Sequence, residues 1–241
     1  MAAKESGFHF EEGEVILIDK PVGWTSFDVV NFIRSLIKRF HQIHKLKVGH
    51  AGTLDPLASG LLVICTGRMT KRIQEFQDQT KVYTGTFRLG ETTPSYDLET
   101  AADAHFPTDH ITPEMLENAR LQFLGIQQQY PPSYSAVKVA GKRAFKYARA
   151  QEEVKLASRE VEILDFKIDA KDFPEIAFFV HCSKGTYIRS LAHDFGKVLQ
   201  SGACLSSLRR TKIGDYSVEN AVSTEAFKAI LISSSPLELD I

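Results

Sequence analysis

The stretch Val48–Lys71, VGHAGTLDPLASGLLVICTGRMTK, sets a single carboxylate, Asp55, in a short loop. The loop starts at Gly49-His50-Ala51-Gly52 and ends where the apolar run Leu61-Leu62-Val63-Ile64 begins. Glycines supply backbone freedom on both sides, and Pro56 removes one N–H and fixes one φ angle, so the loop is built for one shape. An Asp-Pro pair has two readings. The aspartate begins a turn or caps a helix that the proline opens, or it is a carboxylate held for chemistry. Spacing within the stretch does not choose between them.

On the N-terminal side, no acid occurs between Asp28 and Asp55, while Arg34, Lys38, Arg39, Lys45 and Lys47 are joined by His41, His44 and His50. Such a patch can bind phosphates in a protein of net charge -1. It also suits a solvated helix end, where cations favour the C-terminal dipole. The helix is expected from Thr25-Ser26-Phe27-Asp28, which resembles a capping box, with Phe27, Val30, Ile33, Ile37 and Phe40 recurring at helical spacing. Before it, Glu14–Asp19 reads as a buried strand closed by the turn Lys20-Pro21-Val22-Gly23.

Beyond the loop, Gly60–Thr66 reads as a strand and Thr70–Gln77 as a helix. Lys81–Leu89 reads as a strand with Tyr83, Gly85, Phe87 and Leu89 on one face. Glu91–His110 is polar and acidic and reads as a surface excursion carrying Asp97, Glu99 and Asp103. Thr112-Pro113-Glu114 opens a helix that Gly125 can close. Gln127–Lys142 is rich in Tyr, Pro and Lys, and a helix with exposed cations is expected over Arg143–Glu153. Aromatics interleaved with cations suit a nucleic-acid surface, and equally a proline-anchored loop packed on the core. Strands are expected next at Glu160–Ile168 and Ile176–Cys182. After them comes a helix that Thr186 caps, with Ile188, Leu191, Phe195, Val198 and Leu199 inward and Gly202 closing it. Arg189 in its first turn opposes the macrodipole, which asks for a nearby acid. Ser207–Tyr216 is a basic strand candidate.

Length, 241 residues, allows one large domain or two small ones. A hydrophobic fraction of 43% is that of a soluble globular protein. Cys65, Cys182 and Cys204 are scattered and form no CxxC pair, which argues against a disulfide framework and a zinc site and fits a reducing cytoplasm. No apolar run approaches the ~20 residues of a membrane span, and the polar N-terminus is no signal peptide.

Four segments in order resemble the TruB-type tRNA pseudouridine synthases: KPVGWTSFDVV (20–30), GHAGTLDPLASGLL (49–62), KVYTGTFRLGETTPSYD (81–97) and SKGTYIRSLAHDFG (183–196). YPPSYSAVKVAGKRAFKYAR (130–149) and LRRTKIGDYSVENA (208–221) add to the match. The resemblance implies an α+β pseudouridine synthase fold, a central and mainly antiparallel sheet with flanking helices and a cleft across it. It implies a catalytic domain over 13–222 with an RNA-contacting insertion at 127–153. A flexible N-terminus, 1–12, would precede it and a short tail, 223–241, would come after it. The family's C-terminal PUA domain is not expected, because the segment after Ser217 is shorter than the ~40-residue guide for an independent domain. Phe145 and Gln151 depart from the tyrosine and glycine usual in the insertion.

The activity implied is a cofactor-free, metal-free isomerisation of the T-loop uridine of tRNA, conventionally numbered 55, by a cytoplasmic monomer needing no protein partner or guide RNA. Asp55 matches the family's catalytic aspartate and Arg189 the arginine that pairs with it. Tyr83 matches the tyrosine that stacks on the target base and takes a late part in proton transfer. His50, Leu208, Lys20 and Tyr187 match substrate-binding or loop-supporting positions. Three rivals remain beside this reading: a tRNA-folding factor with an idle cleft, a guide-RNA-dependent relative, and a glycoside hydrolase, which would want two carboxylates at a set separation.

Overall fold

The computed structural model describes residues 7–150, 152 and 154–234. Gln151, Glu153 and the ends of the expected N-terminal and C-terminal tails lie outside the described residues. The chain is α+β, with mainly antiparallel strands and flanking helices. Its contacts divide it into two units, one comprising Met1–Lys81 and Arg209–Ile241, the other Val82–Leu208.

In the first unit the strand Val15–Lys20 pairs antiparallel with Ala58–Thr66 and parallel with Val222–Ser223. Val48–His50 adds to the other end of Ala58–Thr66, opposite Ile64–Thr66. The middle strand is buried on both faces, which is why its sequence is a continuous apolar run. The helix Ser26–His41 begins as the sequence predicts, with a complete capping box between Thr25 and Asp28. Its inward face holds Val29, Val30, Ile33, Ile37 and Phe40. Phe27 does not belong there: it is 61% exposed, one position off the buried stripe that Ser26 begins. Phe227 and Leu231, from a C-terminal helix Thr224–Ser233 capped by Ser223, complete this core. Each such side chain, fully buried, contributes about 1.5–3 kcal/mol. The expected helix over Thr70–Gln77 is a 3₁₀ segment, Gly67–Arg72, followed by a short α-helix, Ile73–Gln77.

In the second unit, which takes the strand Lys81–Leu89 from its second residue on, Lys81–Leu89, Glu175–Cys182, Arg159–Asp169 and Gly125–Gln129 are neighbouring strands in that order. Their antiparallel registers pair Phe166 with Val180 and Val161 with Gln127. Gly125, at φ 80, opens a strand rather than closing a helix, since the preceding helix Pro113–Gln122 has already ended at Phe123. That strand is hidden in sequence by three successive glutamines. The insertion carries a hairpin, Lys138–Val139 with Lys142–Arg143. Its two-residue turn, Ala140 and Gly141, has both φ values positive, the geometry that suits strand twist. The helix after it is Ala144–Arg149, shorter than predicted.

Two further corrections concern this unit. The helix expected from Thr186 is Ile188–Val198; Tyr187 is its N-cap residue, and Thr186 Oγ1 donates to the carbonyl of Ser183 instead. Val198 is 39% exposed, whereas Arg189, Ser190 and Ala192 are buried. The excursion 91–110 is not wholly on the surface: Thr93, Ser95 and Asp97 are at most 4% exposed. Among the described residues no helix is long and apolar enough to cross a membrane, and no group of metal-ligating side chains is gathered.

Candidate active site

Asp55 opens a turn closed by the Ala58 N–H donating to the Asp55 carbonyl at 3.1 Å, with Pro56 in its second position. The turn runs directly into the strand Ala58–Thr66, so no helix exists for Asp55 to cap. The loop is gripped from the KPVGWTSF segment. Ser26 Oγ donates to the Leu54 carbonyl at 3.0 Å and accepts from the Leu54 N–H at 2.8 Å. The Gly23 N–H donates to the Pro56 carbonyl at 2.8 Å. A motif that looked in sequence like strand, turn and cap is thus also the wall of the Asp55 loop.

Lys20 is fully buried, and its Nζ donates to the carbonyls of Pro21 (2.8 Å) and Trp24 (2.6 Å). Burial pushes its pKa down to about 8, with Asp55 pulling the other way and Arg210 adding to the depression. The ammonium therefore stays charged at neutral pH and contributes positive charge near Asp55. His50 is partly buried opposite Ile64. Burial first and Arg210 second lower its pKa, so its ring is neutral at pH 7, which suits contact with a nucleotide better than phosphate binding.

Arg210 went unnoticed in sequence. It is 1% exposed, and its Nε donates to the Leu61 carbonyl at 2.8 Å and its Nη2 to the Gly52 carbonyl at 3.1 Å. The signal was there: successive side chains in a strand point to opposite faces, so of two adjacent arginines one must face inward.

In the second unit, Arg189 is 3% exposed. Its Nη atoms donate to the carbonyls of Ser95 (3.0 Å) and Tyr134 (2.9 Å), and its Nε lies 3.6 Å from Asp97 Oδ2. Asp97 supplies an acid of the kind the first-turn cation asks for. The loop that carries it is folded tightly: Thr93 Oγ1 (2.6 Å) and Ser95 Oγ (3.1 Å) both donate to the Asp97 carbonyl. Tyr96, at φ 63, stacks on His193 with centroids 3.8 Å apart. Arg189 and His193, one helical turn apart, hold the same loop. Burial pushes the His193 pKa down to about 4. Nothing in the sequence separated this acid from those around it, because a run of Thr, Ser, Asp and Glu ordinarily lies in solvent.

Tyr83 is 9% exposed on the face predicted for it. The Tyr187 N–H donates to Gln129 Oε1 at 2.7 Å while Gln129 Nε2 donates to its carbonyl at 3.0 Å, and the Arg159 guanidinium lies 4.9 Å above its ring. Leu208 is partly buried. The Tyr-Pro-rich segment is anchored on the core by its prolines and leaves one aromatic ring outside. Pro131 and Pro132 are buried and the Tyr130 carbonyl accepts from Ser190 Oγ at 2.7 Å, yet the Tyr130 ring is 63% exposed. Arg149 is paired with Glu99 at 3.1 Å. Among the described residues, Arg34, Lys38, Lys45 and Lys47 stand in no ion pair, and all four are exposed.

Residues 38–188 match the model of the TruB family pseudouridylate synthase N-terminal domain. Residues 189–238 match that of the tRNA pseudouridylate synthase B C-terminal domain. The chain is 54% identical over 221 residues to tRNA pseudouridine synthase B of Flavobacterium johnsoniae, covering 91% of this chain and 96% of that one. It is 52% identical over 225 residues to the protein of the same name from Bacteroides thetaiotaomicron, covering 91% and 93%. Among solved structures, it is similar to a chain of a Cbf5-Nop10-Gar1 complex, with a TM-score of 0.67 and 25% identity over 92% of this chain. It spans about half of that longer chain, 55%.

Proposed function

We propose, from the premise that this chain belongs to the TruB family of pseudouridine synthases and converts uridine to pseudouridine in tRNA, that its target is the T-loop uridine at position 55 and that Asp55 is the catalytic group. The observation that carries this reading is the Asp55 loop itself, a carboxylate on a turn tied by backbone hydrogen bonds, with the buried Lys20 ammonium close enough to interact with it.

Fold and site support a sequence of steps. The target nucleotide is extruded from the T loop at a cost of a few kcal/mol, offset by protein contacts. Exposed Lys38, Lys45 and Lys47 hold phosphates, and neutral His50 borders the flipped nucleotide. The bond from uracil N1 to C1′ breaks, the freed base turns, and C5 bonds to C1′. The C5 proton then leaves and N1, freed of the sugar, takes up a proton, so the atoms balance and no oxidant, reductant or cofactor is consumed. Attack by Asp55 at C1′, addition at C6 and passage through a glycal all need an ionised carboxylate held in a water-poor site. In this reading Tyr83 and Arg189 serve the same reaction as Asp55: the Arg189 guanidinium, fixed by Asp97 and two carbonyls, is the cation that favours the ionised carboxylate, and the Tyr83 ring packs on the base with its hydroxyl available for the late proton transfer. Leu208 and Tyr187 line the pocket. The chain acts on tRNA alone, as a cytoplasmic monomer without guide RNA.

The test is tritium release from a tRNA transcript labelled at uridine C5, with the purified chain and no other RNA or protein. Release by the wild type, mapped to the T loop, with none above background from Asp55→Asn, is the expected result. Undiminished release by Asp55→Asn would remove Asp55 from the chemistry. Release only after adding a guide RNA would overturn independent action.

A further inference from the structure

Arg209 and Arg210 are adjacent on the strand Ala203–Ile213 and have opposite surroundings. The Arg209 side chain is 41% exposed and forks onto Asp19, Nη1 to Oδ1 at 3.0 Å and Nη2 to Oδ2 at 2.7 Å. Arg210 is 1% exposed and, among the described residues, has no carboxylate within ion-pair distance. Its three polar contacts are all carbonyls: Leu61 at 2.8 Å, Gly52 at 3.1 Å and Thr53 at 3.5 Å, the last at the edge of hydrogen-bond range. Gly52 and Thr53 lead into Asp55, and Leu61 begins the apolar run after it. One planar group therefore joins both legs of the same loop.

A buried cation with no carboxylate opposes folding, and an apolar residue of similar volume would cost less. What such a residue could not do is accept the geometry: a guanidinium presents five donors in a fixed plane, whereas an ammonium presents a point charge. The backbone is shaped for the seat. Gly60 has φ 102, and a Cβ there would fall 2.3 Å from the Arg210 carbonyl oxygen, so only glycine lets the two strands close at this point. The Arg210 charge also acts on the neighbouring groups, Lys20 and His50.

We infer that Arg210 is a positioning residue for pseudouridine formation: its guanidinium clamps the carbonyls of Gly52, Thr53 and Leu61 and so fixes the aim of the Asp55 carboxylate. This rests on Asp55 being the catalytic group. Misplacement of a reacting group by about 1 Å can cost about 10²-fold in rate, and a loss of that order is expected in the chemical step of Arg210→Met. Substrate affinity should hold, because the Arg210 side chain is itself buried, 1% exposed, and contacts only backbone carbonyls.

The experiment combines single-turnover tritium release at saturating enzyme, equilibrium binding of tRNA, and hydrogen exchange of the amides at 51–58, for wild type, Arg210→Met and Arg210→Lys. The expected result is a slowed chemical step with unchanged tRNA affinity and faster exchange in the loop, while the Val15–Lys20 amides keep their protection. Arg210→Lys, which keeps the charge without the fork, should fall between the other two. A folded Arg210→Met protein with the wild-type chemical rate, or with wild-type exchange in the loop, would overturn the inference, as would a rate loss matched by an equal loss of tRNA affinity. If Arg210→Met does not fold, the same readings on Arg210→Lys decide. Asp55→Asn run in parallel separates the two claims: its full activity would refute the role of Asp55, while loop exchange still reports on the clamp.

Discussion

Arg189 and Arg210 are buried to nearly the same degree, 3% and 1% exposed, yet they are accommodated by different means. Arg189 has a carboxylate, Asp97, beside two carbonyls. Arg210 has carbonyls alone. At Arg189 much of the charge is answered locally, and what remains is orientation, fixed further by the Tyr96–His193 stack. At Arg210 no acid among the described residues lies within ion-pair distance, and its field extends to Lys20 and His50. Burial alone does not tell what a cation does in a protein. Its nearest acceptors, neutral or charged, decide whether it is a pinned donor or a source of potential.

The largest test of that contrast is on stability. Removing the acid in Asp97→Ala takes a carboxylate from a buried pair and should cost about 3 kcal/mol. Removing the cation in Arg210→Met frees some carbonyls but also relieves a desolvated charge, and should cost about 1–2 kcal/mol. Urea denaturation of the two variants compares them directly; a greater loss in Arg210→Met would break the distinction.

A second test sharpens the description of the Arg189 side. His193 is held with a pKa of about 4, well below its ordinary 6.5. Between those values the unfolded chain binds the proton and the folded one does not. Stability from the neutral, stacked ring is therefore full above pH 6.5 and lost as pH falls towards 4. His193→Phe keeps a ring against Tyr96 without the titration, so its melting temperature should decline less than that of the wild type across this window. Equal declines would show that the His193 ring is not what acid disturbs.

The smallest effect is expected from cations that are neither buried nor paired. Lys38, Lys45 and Lys47 changed together to Ala should weaken tRNA binding and flatten its dependence on salt, by up to about 0.7–0.9 in logarithmic slope for each phosphate no longer neutralised. Unchanged binding at every salt concentration would leave the patch as a solvated helix end.

The elements of the fold were legible where local chemistry and periodicity agree. The capping box at Thr25, the buried strand after Gly60 and the alternating face of Tyr83 are all found as read. Where they were misread, long-range contacts had overridden a local signal. Gly125–Gln129 is a strand despite its glutamines because it pairs with Arg159–Ile163. The 93–97 loop is buried despite its polarity because its hydroxyls are satisfied within the loop and Arg189 donates to the Ser95 carbonyl and forms an ion pair with the Asp97 carboxylate. Phe27 looks apolar by composition but falls outside the buried stripe of its own helix.

By itself the sequence determined the family, and with it the activity, since six motifs in one order are a specific signature; it also singled out Asp55, Tyr83 and Arg189. What only the tertiary structure decided is how the buried charges are accommodated: that Asp97, of the acids in its own segment, sits beside Arg189, and that Arg210 rather than Arg209 enters the interior to hold the Asp55 loop. The reason is physical. A motif records which side chains are present, but the stability of a charge out of water depends on acceptors brought within about 3 Å by distant parts of the chain, and those are set only when the strands have closed on one another.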